Sequence, residues 1–279
     1  MTVNRLRRLC VVMCLFVAGG CAHMPMAKAP DNMVLIPAGP FIMGTDQTDD
    51  DIAEDLGLPY TWYADARPAR QVVLPAFYID RYEMTNAEYL QFMNVTEIPL
   101  GQPYGWDDDR PQEGTNDYPV SGLNWYEAYL VCQHFGKRLP TEAEWEKAAR
   151  GPDGARYPWG DEWNPELANV ARGGAGRTVP VGSYPGGASP YGVHDMIGNV
   201  WEWVRDWFRP YPGSDHVSDN YGKRFKSIRG NSYAEIGHFS PEERAFVTRE
   251  MSRANYRNSF DPKAKRRDAG VRCARDVEK

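Results

Sequence analysis

The stretch from His194 to Phe208, HDMIGNVWEWVRDWF, constrains this chain more than any other. It packs Trp201, Trp203 and Trp207 around a Gly-Asn turn and several carboxylates. That is too aromatic for an ordinary surface loop and too polar for a core strand, so the stretch is either scaffold or site. The rest of the composition points to a scaffold of loops. With 26 Gly, 22 Pro and 9 Trp in 279 residues, the chain reads as turn-rich rather than as a helical bundle, and 42% hydrophobic residues can support a full core.

The N-terminal end follows other rules. MTVNRLRRLC carries Arg5, Arg7 and Arg8 and no acid; an apolar run from Leu9 to Val17 follows, then small residues and Cys21. This is the layout of an export signal, with a basic region, a short apolar region and a small-residue cleavage site. The apolar run is too short to span a bilayer permanently. The pattern resembles a bacterial lipoprotein signal, which implies cleavage before Cys21 and lipidation there; a plain secretory signal is the other reading. Residues 1–20 are thus expected to be a signal peptide, 21–32 a lipidated tether and 33–279 the folded unit. The expected location is the bacterial cell envelope, with Ala22 favouring the outer membrane, facing the periplasm or the cell surface.

Without residues 1–20 the formal net charge moves from −6 to −9, because that segment holds three arginines and no acid. This acidity argues against nucleic acid as a partner and against polybasic membrane adhesion. Beyond Cys21 only Cys132 and Cys273 remain. In an exported chain they are either a disulfide or two buried thiols.

Along the chain, MVLIPAGPFIMG reads as two short strands around a Pro-Ala-Gly-Pro turn, and Arg70–Thr85 is strand-like. Asp46–Ala66 and Pro99–Tyr118 read as irregular insertions. Thr85 with Glu88, and Thr141 with Glu144, are capping boxes, in which hydroxyl and carboxylate satisfy each other's backbone N–H groups at a helix start. Asn124 caps the helix between them, with Trp125, Ala128, Tyr129, Cys132 and Phe135 expected on its buried face. Ser240, Pro241 and Glu243 open a further helix in the same way. The expected class is α+β.

Several segments together resemble the formylglycine-generating enzymes and their sulfatase-modifying-factor relatives. MVLIPAGPFIMGTD, FYIDRYEMTNAEYLQFM, KRLPTEAEWEKAARG, YPWGDEW, DMIGNVWEWVRDWF, IRGNSY and AGVRCARD occur in that family's order, over about Met33 to Asp276. The resemblance implies a compact, loop-rich, C-type-lectin-like fold and a Cys132–Cys273 disulfide. It implies a calcium ion held by Asp195 and Glu202 and by the backbone carbonyls of Gly198 and Val200, a chemistry suited to an ion that takes six to eight oxygens. A second calcium site would begin at Asn169 and Val170, but Gly173 to Gly176 stand where its acidic ligand is expected, so no strong ion is anticipated there.

The catalytic pattern breaks. The oxidising members of the family hold copper between two thiolates, and the matching positions here are Glu235 and Ser240; copper is therefore not expected. His238 lies in the same loop and offers a lone imidazole for another metal. The basic run beyond Ser240, including Arg249, Arg253 and Arg257 and continuing through Lys263, Lys265, Arg266 and Arg267, suggests a pocket for an anionic peptide, glycan or lipid head group. The expected role is a membrane-anchored binding or accessory module for a peptide, glycan or protein at the envelope. The alternative is an oxidative tailoring enzyme acting on a secreted peptide or siderophore.

Overall fold

The computed structural model describes residues 32–48, 63–171, 174–234, 237 and 240–278. The signal, the tether, Cys21, Glu235 and His238 lie outside them.

The two strands predicted at the start form as β1 (Met33–Ile36) and β2 (Gly39–Met43), yet they do not pair with each other. β2 runs antiparallel to β3 (Arg70–Leu74), and β1 to β4 (Phe77–Asp80). The expected helix starts hold. Thr85, Asn124 and Thr141 each make a reciprocal capping box, opening α1 (Asn86–Met93), α2 (Trp125–His134) and α3 (Glu142–Arg150). The insertion after Pro99 is less irregular than its composition suggests: β5 (Trp106–Asp107) and β6 (Arg110–Pro111) form a small hairpin. Trp106 anchors it by donating its indole N–H to Asn86 at 2.8 Å.

The second half contributes β7 (Trp201–Trp207), β8 (Lys226–Arg229), α4 (Pro241–Met251), β9 (Asn258–Phe260), β10 (Ala269–Gly270) and β11 (Ala274–Asp276). One sheet runs β10-β7-β8-β9, with β10 parallel to β7; another joins β1, β4 and β11. Short strands in several small sheets around four α-helices among the described residues make an α+β fold, as expected. The Cys132–Cys273 disulfide is present, with an S–S distance of 2.02 Å across a sequence separation of 141. It ties α2 to the residue just before β11.

β7 explains its mixed composition. Trp201 and Trp203 pack into the cluster that holds the disulfide and α2, whereas Val204 belongs to a second cluster built on Trp145 and β4. The strand therefore runs between two cores, and Glu202 is buried with it at 1% exposure. The predicted face of α2 needs one correction. Ala128 and Cys132 are buried as expected, but Tyr129 is 37% exposed and Val131 takes its place inside. Tyr129 instead stacks on the half-buried Trp125, with ring centroids 5.4 Å apart.

Candidate functional site

Two constellations meet at β7. The first surrounds the turn that precedes it. Asp195, Gly198 and Asn199 all have positive φ, at 54°, 88° and 58°. Gly198 is required twice over: its φ favours glycine, and a β-carbon there would come 2.6 Å from the carbonyl oxygen of Asn169. Asn199 staples the turn. Its amide nitrogen donates to Glu83 at 2.6 Å, and its oxygen accepts from Asn169 at 3.1 Å and from the Val179 backbone at 3.1 Å.

Four charged side chains fill the interior here. Glu202 accepts from Arg272, through Nη2 at 2.8 Å and Nε at 3.0 Å, and from the Trp145 indole at 2.7 Å. Glu83 accepts from the Val200 backbone at 2.9 Å. Asp195 accepts from the Gly182 backbone at 2.6 Å. Three buried carboxylates thus share one buried guanidinium. Burial, reinforced by the charges of Asp195 and Glu202, pushes the Glu83 carboxyl well above the usual carboxylate range. Burial raises Asp195 too.

This arrangement bears on calcium. The excess of carboxylate over Arg272 is a charge balance that a cation would offset. Coordination is another matter, because hydrogen bonds from Arg272 and Trp145 already occupy both oxygens of Glu202. Among the described residues, no group of three His, Cys, Asp or Glu side chains is placed to hold a metal. Asp195 and the backbone carbonyls of Gly198 and Val200 are the ligands the predicted set still offers. At the Asn169 position the same groups make internal bonds. Asn169 accepts from the Ala175 backbone at 2.9 Å and donates to the Arg177 carbonyl at 2.8 Å, and the Val170 carbonyl accepts from Gly174 at 3.1 Å.

The second constellation is a cleft of about 280 Å³ beside the same end of the sheet, lined by Trp201, Ser232, Met251, Phe260, Arg266 and Asp268 among others. Ser232 donates its hydroxyl to Asp268 at 2.9 Å. Arg266 reaches Asp268 at 3.1 Å and lies over the Phe260 ring at 4.1 Å from its centroid. The mouth continues past Ala234 to the exposed Arg267. The lining thus mixes Trp201, Met251 and Phe260 with the buried Asn231, Ser232 and Asp268, and the mouth carries Arg266, paired with Asp268, and Arg267.

The profile of the sulfatase-modifying factor enzyme 1-like domain matches residues 22–277. The chain belongs to this family. Among its relatives, hercynine oxygenase of Mycolicibacterium smegmatis is 32% identical over 283 residues, taking in 88% of this chain and 61% of that protein. This chain thus spans less than two thirds of that relative's length. The inactive C-alpha-formylglycine-generating enzyme 2 of Mus musculus is 28% identical, across 91% of this chain and 89% of that one. The solved structure of PvdO from Pseudomonas aeruginosa superposes with a TM-score of 0.64 at 26% identity, covering 88% of this chain and 94% of its own. The family therefore includes both oxidative and inactive members.

Within this family member, the predicted cleft residues separate. Ser240 is exposed and serves as a helix cap: its hydroxyl accepts from Glu243 at 3.2 Å while its backbone N–H donates to the Glu243 carboxylate at 2.7 Å. The three arginines proposed for ligand binding have mostly internal roles. Arg257 is 3% exposed and pairs with Glu142 through Nε at 2.8 Å and Nη2 at 2.9 Å, under the Tyr211 ring. Arg253 is buried against Glu250 and Tyr63. Arg249 keeps 42% of its side chain exposed but pairs with Glu250 at 2.8 Å. Arg257 meets an acid 115 positions away, which the sequence does not show, whereas Arg249 and Arg253 share the neighbouring Glu250, a local signal that the sequence did carry. The basic residues that do line the cleft are Arg266 and Arg267, at the end of the same run. Glu83, Asn199 and Arg272 were missed as site residues; the Arg-Cys pair at 272–273 was the available signal for Arg272.

Proposed function

We propose that this chain is a binding or accessory member of its family, attached to the cell envelope through Cys21, that recognises an anionic group of a peptide or glycan in the Trp201–Asp268 cleft. The observation that carries this reading is the state of the sulfur. Cys132 and Cys273, the two cysteines beyond Cys21, are joined to each other. By the resemblance, Ser240 and Glu235 stand about where the oxidising members carry their thiolates, and the Ser240 hydroxyl caps α4. A site without thiolates lacks the soft ligands that Cu(I) needs. The cleft combines Trp201 and Phe260 with Arg266 and Arg267 at its mouth, and these guanidinium groups suit carboxylate or phosphate on an otherwise acidic chain.

The test has two parts. The full chain, incubated with oxygen, copper and a cysteine-containing sulfatase peptide, should leave the peptide mass unchanged; conversion of cysteine to formylglycine would sink the reading. A glutamate-rich peptide and a uronic-acid oligosaccharide, titrated separately, should show at least one binding event that Arg267→Glu removes. Binding that survives this substitution would move the site elsewhere. For the anchor, Cys21→Ser should release the protein from the membrane fraction.

Calcium is part of the same proposal. Asp195 and the carbonyls of Gly198 and Val200 would hold it, and Glu202 would join only by releasing an oxygen from Arg272. The second reading, an oxidative tailoring enzyme, is favoured by the similarity to hercynine oxygenase. A stoichiometric iron or copper in the purified protein would select it.

A further inference from the structure

A second cavity, of about 360 Å³, shares no lining residue with the cleft. The exposed carboxylates of Asp46, Asp161 and Glu162 stand along it. Asp46 and Asp161 each hold one oxygen on a backbone N–H, of Ala69 at 2.8 Å and of Arg156 at 2.9 Å, which fixes where their charge points. Two cationic residues also line the wall. Arg150 is buried, and its guanidinium is held by Glu146 and by the carbonyls of Gly44, Gly154 and Ala155. Three carboxylates thus face Arg156 and the inward-held Arg150 along this wall. Independently of this charge, Asn255 lines the cavity at 1% exposure, and its amide nitrogen donates to no partner among the described residues. A buried donor left in this way is destabilising unless an acceptor meets it.

The two observations together select a ligand. It must carry a cation for the rim and an acceptor for Asn255. A bare divalent cation supplies no acceptor, and no triad of metal-holding side chains is found among the described residues. A polyamine supplies only donors. A peptide segment with a basic side chain supplies both groups, and a volume of this order suits one or two residues. We infer that this cavity binds such a segment: a backbone carbonyl accepts from Asn255 while the lysine or arginine head meets Asp161 and Glu162. The inference is independent of the cleft reading.

The probe is acetyl-Gly-Lys-Gly-amide, with acetyl-Gly-Gln-Gly-amide as the neutral control, each followed by saturation-transfer NMR on the full chain. The lysine peptide should bind and the glutamine peptide should not. The surface double variant Asp161→Asn, Glu162→Gln should weaken binding about five- to tenfold without changing Tm, and added salt should weaken it in the parent. Equal binding of both peptides, binding unchanged in the double variant, or no binding to the parent, which would leave the cavity to water, each overturns the inference. The double variant should still bind the cleft's anionic probe as the parent does, so failure of one site is distinguishable from failure of the other.

Discussion

Arg272 and Glu202 lie 70 residues apart in sequence and form a two-pronged ion pair in the interior, Nη2 to Oε1 at 2.8 Å and Nε to Oε2 at 3.0 Å. Arg272 is also held by the carbonyls of Asp80 at 2.9 Å and His194 at 2.7 Å. It is the counter-charge for three buried acids. Arg272→Met should therefore lower the unfolding free energy by about 3–5 kcal/mol, because it leaves carboxylates buried without their partner. Urea unfolding of the two proteins checks this; a loss under about 1 kcal/mol would show that the acids are protonated or solvated without it.

Metal analysis after mild dialysis should find about one calcium per chain, and a chelator should lower Tm because an ion bound only to the folded state stabilises it by mass action. Asp195→Asn keeps an oxygen but removes charge, and should weaken the effect. A calcium-free protein whose Tm ignores the chelator would leave the turn as scaffold alone.

The disulfide should contribute about 3–5 kcal/mol through the long loop it closes. Replacing Cys132 and Cys273 together by serine should lower the denaturation midpoint by a corresponding amount, and a reductant should then have no further effect on the variant. A variant as stable as the oxidised parent would contradict this.

Asp65 gives a pH dependence of unusual sign. Burial, only partly offset by Arg257, pushes its carboxyl up from 3.8 to about 6. A group whose pKa is raised on folding favours the folded state when protonated, and this contribution is lost as pH climbs from about 4 through 6. Asp65→Asn removes the penalty of the buried charge. The variant should be more stable than the parent at about pH 8, by on the order of 2–3 kcal/mol, and the gap should close below about pH 4. Thermal melts across that range decide it; a gap independent of pH would mean the gain comes from packing.

What could be read from the sequence was mostly local. The capping boxes read at Thr85, Thr141 and Ser240 involve residues three apart and all three form, and Asn124, read only as a cap, makes a fourth. The ordered motifs identified the family, and with it the fold and the disulfide. The charged interior was not legible, because its partners are distant: Arg257 meets Glu142 across 115 positions, and Glu83 meets the Val200 backbone across 117. A run of arginines looks the same in sequence whether it faces water or a buried acid. Arg257 is turned inward by Glu142 and by the carbonyls of Asp65 and Arg209, with Phe208 and Tyr211 packed on its guanidinium.

The position of β7 between two cores makes its alignment an all-or-none matter. Neighbouring side chains point to opposite faces, so a slip of one residue would carry Glu202 into the aromatic cluster and set tryptophans against Arg272. No nearby arrangement satisfies both faces. From Trp201 to Trp203 the strand can accept exchanges of like for like but no inserted or deleted residue; its register against β8 already shifts between Trp203 and Trp207, and that stretch is where a change in length can be absorbed.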